Sequence, residues 1–248
     1  MYIVVRRGAF ETIDEGGRLA GLAVVRALEE FGADPQWRQR PGKVVLRARS
    51  PSQWARVLEE PHAAASDGVV ALPPRRRSER GDALAKLQAM STGLAPPPPD
   101  STAPLVYALN PAIEMSSGKT LAQIAHAAVM AADLGHDVSR ARVIGPETFD
   151  LPGCVAEVRD AGLTEVAPGT ITVRVLVRER QPEPDDRERD EEDGALEPVG
   201  GTVAQVPEDQ HARQHDEGEL DVQRPVVPQP VVRRHPRAGH HEHPERPQ

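Results

Sequence analysis

Apolar positions fall into two periodicities over the first ninety residues. Tyr2-Ile3-Val4-Val5 is a short continuous run, the pattern of a buried strand. Leu19 to Leu28 then places Leu19, Leu22, Ala23, Val24, Val25, Ala27 and Leu28 at helical spacing, and Val44-Val45-Leu46 reads as a second strand. A further helix is expected around Trp54, Val57 and Leu58, three and four residues apart, with Ser52 as its cap. Val69-Val70-Ala71-Leu72 follows as a strand, and Asp82 is placed to cap a last helix carrying Leu84, Leu87 and Met90. Alternation of this kind predicts an α/β fold, a mixed sheet flanked by helices.

The rhythm breaks at residues 94–103, where Pro96-Pro97-Pro98-Pro99 precedes Asp100-Ser101-Thr102, a stiff and extended composition. That stretch reads as a linker between an N-terminal α/β region, 1–93, and a second domain, 104–178. The second domain opens on a strand, Leu105 to Leu109. A helix then starts near Ser116 or Ser117 and runs to about Leu134, with Gly135 as its terminating residue. After a Pro/Gly-punctuated stretch come a strand, Val155 to Arg159, a loop, Asp160 to Gly169, and a mostly β-branched strand, Thr170 to Val177. Both halves share a strand–helix–strand rhythm, but no internal repeat is strong enough to name.

Charge separates a third region. The 248 residues carry a net charge of −8, yet residues 179–248 alone hold nine arginines, no lysine and 18 acidic residues, so residues 1–178 stand at +1. The tail also holds ten of the 25 prolines and no aromatic residue, a composition that cannot bury enough apolar surface to offset chain entropy, and it is expected to be disordered. Its acidic run, Glu183 to Asp193, would repel RNA, and its histidines are expected to be solvated rather than a metal site. The single cysteine, Cys154, excludes an internal disulfide framework and any multi-cysteine metal site. No apolar run approaches the ~18 residues of a membrane span, and the first residues put their apolar run ahead of their charges, the reverse of a signal peptide. A cytoplasmic location without membrane contact is the expectation. Lysine is scarce, with only Lys43, Lys86 and Lys119 against 27 arginines. The Arg75-Arg76-Arg77 run reads as a solvated loop.

Two stretches concentrate candidate chemistry at strand ends, where α/β sheets bind ligands. In Ser116-Ser117-Gly118-Lys119-Thr120-Leu121-Ala122-Gln123-Ile124-Ala125-His126-Ala127-Ala128, a helix start and an ammonium point at one spot, which attracts anions. Gln123 shares the face of Lys119 one turn on. Gly118-Lys119-Thr120 is not a phosphate-binding P-loop, since Ile113 stands where that pattern needs its first glycine. In Arg159-Asp160-Ala161-Gly162-Leu163-Thr164-Glu165-Val166-Ala167-Pro168-Gly169-Thr170, Asp160 directly follows a strand and the glycines and proline shape the loop. Alone, such an aspartate braces its own turn. Ser116, Ser117 and Cys154 have no base partner in view, which speaks against a nucleophilic mechanism.

Together these motifs, in this order and about forty residues apart, resemble the peptidyl-tRNA hydrolases of the archaeal and eukaryotic type. The likeness covers roughly residues 104–178, and the preceding region resembles the N-terminal extension of actinobacterial members. It implies hydrolysis of the ester that joins a peptidyl or N-blocked aminoacyl group to the 3′-terminal ribose of tRNA, without metal or cofactor, and family members often form homodimers. It maps Lys119, Asp160 and Thr164 onto catalytic positions and Gly118, Gln123 and Gly162 onto substrate-binding ones. Asp160 would orient or deprotonate water, Lys119 would stabilise the oxyanion or hold a terminal phosphate, Thr164 would fix the water or ribose, and Gln123 would hold the substrate amide. His126, about 10 Å further along the helix by its rise per residue, is expected to brace the Asp160 loop or the core. The chain departs from the family in three respects, one of them that the acidic tail stands where the family has a closing glycine-rich segment. Residues 136–154 leave room for one short strand, such as Ala141 to Ile144, so the domain is shortened. The opening Lys-Gly-Lys becomes Ser117-Gly118-Lys119. A catalytically degenerate RNA-binding relative is the alternative these departures raise.

Overall fold

Short β-branched runs and two long amphipathic helices account for the architecture. A computed structural model of the chain describes residues 1–33, 35, 37, 42–163 and 165–178; the tail expected to be disordered lies outside them. Among the described residues the fold is α/β, with two mixed sheets and four helices of the α type. In the first half β1 (Tyr2–Arg6), β2 (Val44–Ala48), β3 (Ala63–Ser66), β4 (Val69–Ala71) and β5 (Gln88–Ala89) form a sheet in the order β3-β4-β1-β2-β5. Helix α1 (Ile13–Phe31) is capped by Thr12, whose hydroxyl accepts from the Glu15 amide, and Asp14 and Glu15 complement its positive end. Helix α2 (Pro51–Leu58) is capped by Ser50 rather than Ser52, because Pro51 takes the first helical position, where a missing N–H is harmless.

The helix expected from Asp82 to Met90 is a single turn, α3 (Asp82–Ala85). Arg80 donates to the Leu84 carbonyl through Nε (3.1 Å) and to the Leu87 carbonyl through Nη2 (3.0 Å), and the Met90 amide pairs with Val45 O (3.0 Å), so the chain turns into β5 instead. Strands β3 and β5 escaped sequence reading because Ala63-Ala64-Ala65-Ser66 and Gln88-Ala89 carry little β-propensity.

The second half runs β6 (Leu105–Leu109), α4 (Ser117–Asp133), β7 (Arg142–Ile144), β8 (Cys154–Arg159) and β9 (Ile171–Val177), in the order β7-β6-β9-β8. It repeats the plan of the first. In each half a strand and a long helix lead to a parallel neighbour, and an antiparallel pair closes the other side. The registers agree as well: Tyr2 pairs with Val44 as Val106 pairs with Arg142, and Ile3 pairs with Ala71 as Tyr107 pairs with Val175. The caps Thr12 and Ser116 then correspond, as do Glu15 and Lys119, and Leu19 and Gln123. The repeat that the sequence does not reveal is thus a repeat of topology with the site residues present in one copy.

The halves differ on their outer faces. In the first, α2 brings Trp54 and Val57 onto Tyr2, Val4 and Leu46. In the second, no described residue between β7 and β8 is helical, and Ala103, Phe149 and Leu151 cover Val106, Ala108, Ile144 and Leu176. This is the shortening the sequence implies.

Between the sheets, α1 lies on α4. A side-chain carbon at Gly21 would sit 2.7 Å from the Ala128 Cβ, and one at Gly17 would sit 2.6 Å from Ile124 Cδ1, so the glycines set how closely the helices approach. Leu121, Ala122 and Ala125 join the core of the first sheet, while Ile13 and Val25 join that of the second. Asp14 reaches across, accepting from the Val143 amide (2.8 Å) and from Arg142 Nε (3.2 Å). The stretch read as a linker is strapped to both halves: Ala95 O accepts from the Ile13 amide (2.9 Å), and Pro98 O from the Gly145 amide (2.8 Å). Residues on either side of it form one compact unit. Among the described residues, no helix is long and apolar enough to cross a membrane.

Candidate active site

Ser116 begins the site by ending a loop. Its Oγ caps α4 at the Lys119 amide (3.4 Å), and its carbonyl accepts from Thr120 Oγ1 (3.1 Å). Glu165, from the loop after β8, accepts from the Ser116 amide (2.8 Å) and from Ser116 Oγ (2.7 Å). A carboxylate of the chain itself therefore occupies the helix entry, where the sequence suggested a general anion site.

Lys119, one turn on, reaches inward to form an ion pair with Asp160 Oδ2; the two side chains are 14% and 3% exposed. Asp160 is fixed at backbone and side chain. Its amide donates to Thr170 O (2.9 Å), its carbonyl accepts from the Gly169 amide (2.8 Å), and Oδ1 accepts from the Gly162 amide (2.8 Å). Gly162 has φ +74, and a side-chain carbon there would lie 2.7 Å from Pro168, so this turn admits only glycine.

Gln123 completes the cluster. Its Nε2 donates to Asp160 Oδ2 (2.5 Å), and its Oε1 lies 3.0 Å from the Thr172 hydroxyl, which also lies 3.2 Å from Val158 O and donates to one or the other. Gln123 and Thr172 are buried. Burial works to raise the Asp160 pKa, but the bonds from Lys119, Gly162 and Gln123 outweigh it and hold the carboxyl below its ordinary range. It is an anion at neutral pH.

Lys119, Asp160, Gln123 and Gly162 therefore meet in one place. Gly118 does not face it: a side-chain carbon there would stand 2.3 Å from Met90 O, which makes Gly118 a packing position against the first half. Gln123 is buried with its Nε2 on Asp160 Oδ2 and its Oε1 beside the Thr172 hydroxyl, so it positions Asp160. Thr164 lies outside the described residues. Sequence reading leaves out Thr172; the available signal was a hydroxyl on the strand that directly follows the Asp160 loop.

His126 bonds to the first half, where its Nδ1 lies 3.1 Å from Lys43 Nζ. Burial, with Lys43 and Lys119 adding to it, lowers the histidine pKa to about 3, and burial lowers that of Lys43 to about 7. Unfolded, His126 takes up a proton near pH 6.5 that the folded chain does not bind until about pH 3, so the folded state loses stability as pH falls through that window. Between pH 6.5 and 4.5 the loss comes to about 2 kcal/mol from this residue. Urea unfolding of His126→Gln across that range is expected to show a visibly flatter pH dependence than the parent; an equal slope would contradict the burial of a neutral imidazole.

Comparison of the chain with protein-family models, with curated proteins and with solved structures finds no match. What the site can do therefore has to be argued from its own geometry.

Proposed function

We propose that this chain hydrolyses the ester bond of peptidyl-tRNA or an N-substituted aminoacyl-tRNA, releasing the peptide and free tRNA. The observation that supports the reading is the meeting of Lys119, Gln123 and Asp160, brought from two motifs 37 to 41 positions apart in sequence onto one carboxylate. Asp160 is an anion with Oδ1 on Gly162 and Oδ2 on Lys119 and Gln123, which leaves acceptor capacity for a water. With its basicity lowered, it acts first by orienting that water, and accepts a proton only as attack develops. The ester carbonyl becomes an oxyanion in the same step, and Lys119, partly exposed beside Asp160, supplies the charge to stabilise it. Gln123 and Thr172 keep Asp160 in place. A tRNA substrate places the protein in the cytoplasm.

The test is release of the acyl group from N-acetyl-aminoacyl-tRNA by purified full-length protein. Turnover that Lys119→Ala loses while remaining folded is the expected result. Folded protein that binds tRNA and releases nothing would establish the degenerate RNA-binding relative instead.

A further inference from the structure

The loop that carries Asp160 meets α4 at a second place, outside the hydrolytic cluster. Glu165 lies on the return of that loop, between Leu163, 85% exposed at the tip, and Val166, which is buried. Its carboxylate accepts twice from one residue, from the Ser116 amide at Oε2 (2.8 Å) and from Ser116 Oγ at Oε1 (2.7 Å). The hydroxyl proton is thereby committed to Glu165, and the lone pairs of Oγ are left to accept from the Lys119 amide (3.4 Å). A path of hydrogen bonds runs from the loop carboxylate, through the helix cap, to the residue that pairs with Asp160. Thr120 Oγ1 donates to the Ser116 carbonyl (3.1 Å), so the amide and the carbonyl of the cap are both held.

The first half has the same helix start without this device. Thr12 caps α1 at the Glu15 amide, and the Ile13 amide beside it is taken by the Ala95 carbonyl, a backbone group. There β3 and β4 are joined by Asp67-Gly68 alone, whereas β8 and β9 are joined by residues 160–170. A hydroxyl cap therefore suffices to start a helix in this fold, and the longer loop brings a carboxylate to a helix that is already capped. What the carboxylate adds is a second tie. The bonds from Lys119 and Gln123 converge on Asp160, a single point about which the rest of the loop could swing. Ser116 lies one turn before Lys119, about 4.5 Å away by helical rise, so ties at Ser116 and Lys119 together fix the orientation of the loop on α4. The charge of Glu165 also sits at the positive end of the helix dipole, where it is stabilising.

We propose that Glu165 is a positioning residue: by fastening the loop to Ser116 it sets the first turn of α4, and with it the aim of Lys119 at Asp160. The consequence for turnover rests on the hydrolase reading, and Glu165 acts through Ser116 and Lys119 without touching the ester. With the tie in place, Lys119 starts from a fixed backbone, and its ammonium meets the developing oxyanion without reorganisation. Without it, Ser116 is free to turn its hydroxyl to other acceptors, and the first turn of α4 frays. Lys119 then samples positions from which it does not reach the oxyanion.

The experiment compares Glu165→Ala, Glu165→Gln and the parent, all as full-length protein, by steady-state hydrolysis of N-acetyl-aminoacyl-tRNA and by NMR-detected exchange of the Lys119 amide. Glu165→Ala should lower kcat about tenfold at unchanged KM, because geometry is lost and no substrate contact is. Its Lys119 amide should exchange about tenfold faster as the first turn opens. Acetate, against chloride at equal ionic strength, should reverse both changes by returning a carboxylate to the vacated helix entry. Glu165→Gln, whose amide oxygen still accepts from Ser116, should stay near the parent in both measurements. Parental kcat in Glu165→Ala overturns the role, and so does a rise in KM alone, which would mean that Glu165 touches the substrate. Loss of turnover with unchanged exchange at Lys119 also overturns it. A parent that hydrolyses nothing, yet whose Lys119 exchange responds to Glu165 and acetate in this way, overturns the hydrolase reading and leaves the positioning role standing. Without either response, both fall.

Discussion

Asp160→Asn should lower acyl release from N-acetyl-aminoacyl-tRNA by about a thousandfold, within the range for loss of a positioned acid–base group. The substitution keeps shape and volume but exchanges an oxygen for an amide nitrogen. The Asp160 carboxylate accepts on both sides, from Gly162 at Oδ1 and from Gln123 and Lys119 at Oδ2. Whichever way the asparagine turns, its NH2 faces a donor. Lys119 also loses the negative charge that lets it sit with little solvent exposure. Breaking a buried pair on one side in this way costs about 3 kcal/mol in stability, so activity has to be compared at matched folded fraction. Single-turnover release and urea unfolding on the same preparations make that comparison. Thr172→Val separates positioning from chemistry. It removes only the hydroxyl beside Gln123 Oε1, so it should cost about 1 kcal/mol of stability and should lower kcat without changing the pH at which activity appears. Asp160→Asn that turns over at the parental rate would remove Asp160 from the mechanism.

The motifs that made the site legible were those whose residues adjoin a strand end or a helix start. Lys119 and Gln123 share a face by helical spacing, and Asp160 and Gly162 are two residues apart, so their meeting needs only that α4 pack against β8 and β9. Pairings across the chain were not legible. Lys43 and His126 are 83 positions apart, and Asp14 and Val143 are 129 apart; both arise from the stacking of two sheets through α1 and α4. No periodicity encodes that stacking. Its only trace is a pair of glycines in a helix, Gly17 and Gly21, which taken alone argue against the helix they belong to. The repeat was hidden for a related reason. The copies share register and strand order but not residues: Glu15 and Leu19 occupy the positions of Lys119 and Gln123, and α2 has no counterpart in the second half. The α/β class and both long helices survive such divergence because they depend on apolar period, which is common to both copies.

Gly21→Val is the substitution expected to do most damage to the fold. The close approach of α1 to α4 at this point is between Gly21 and Ala128, and a side-chain carbon on the first would lie 2.7 Å from the Cβ of the second. Ala128 is fully buried and has no longer side chain to swing aside, so the strain can be relieved only by moving one helix off the other. Each helix is packed on its own sheet, and separating them opens the shared core in which Leu121 and Ala125 meet Leu19 and Ala20. Overpacking of this severity costs about 3 kcal/mol, and for a unit of this size the melting temperature should fall by about 10 °C. The helix preference of valine over glycine recovers only a few tenths of a kcal/mol. Ala128→Gly in the same chain removes the atom in the way, so the double variant should regain more than the single losses predict, a coupling that a double-mutant cycle measures directly. Lys119, Gln123 and Asp160 all belong to the second half and keep their geometry when the helices part. Folded Gly21→Val should therefore turn over in proportion to its folded fraction, and a larger loss of turnover would mean that the joint holds the hydrolytic cluster together as well.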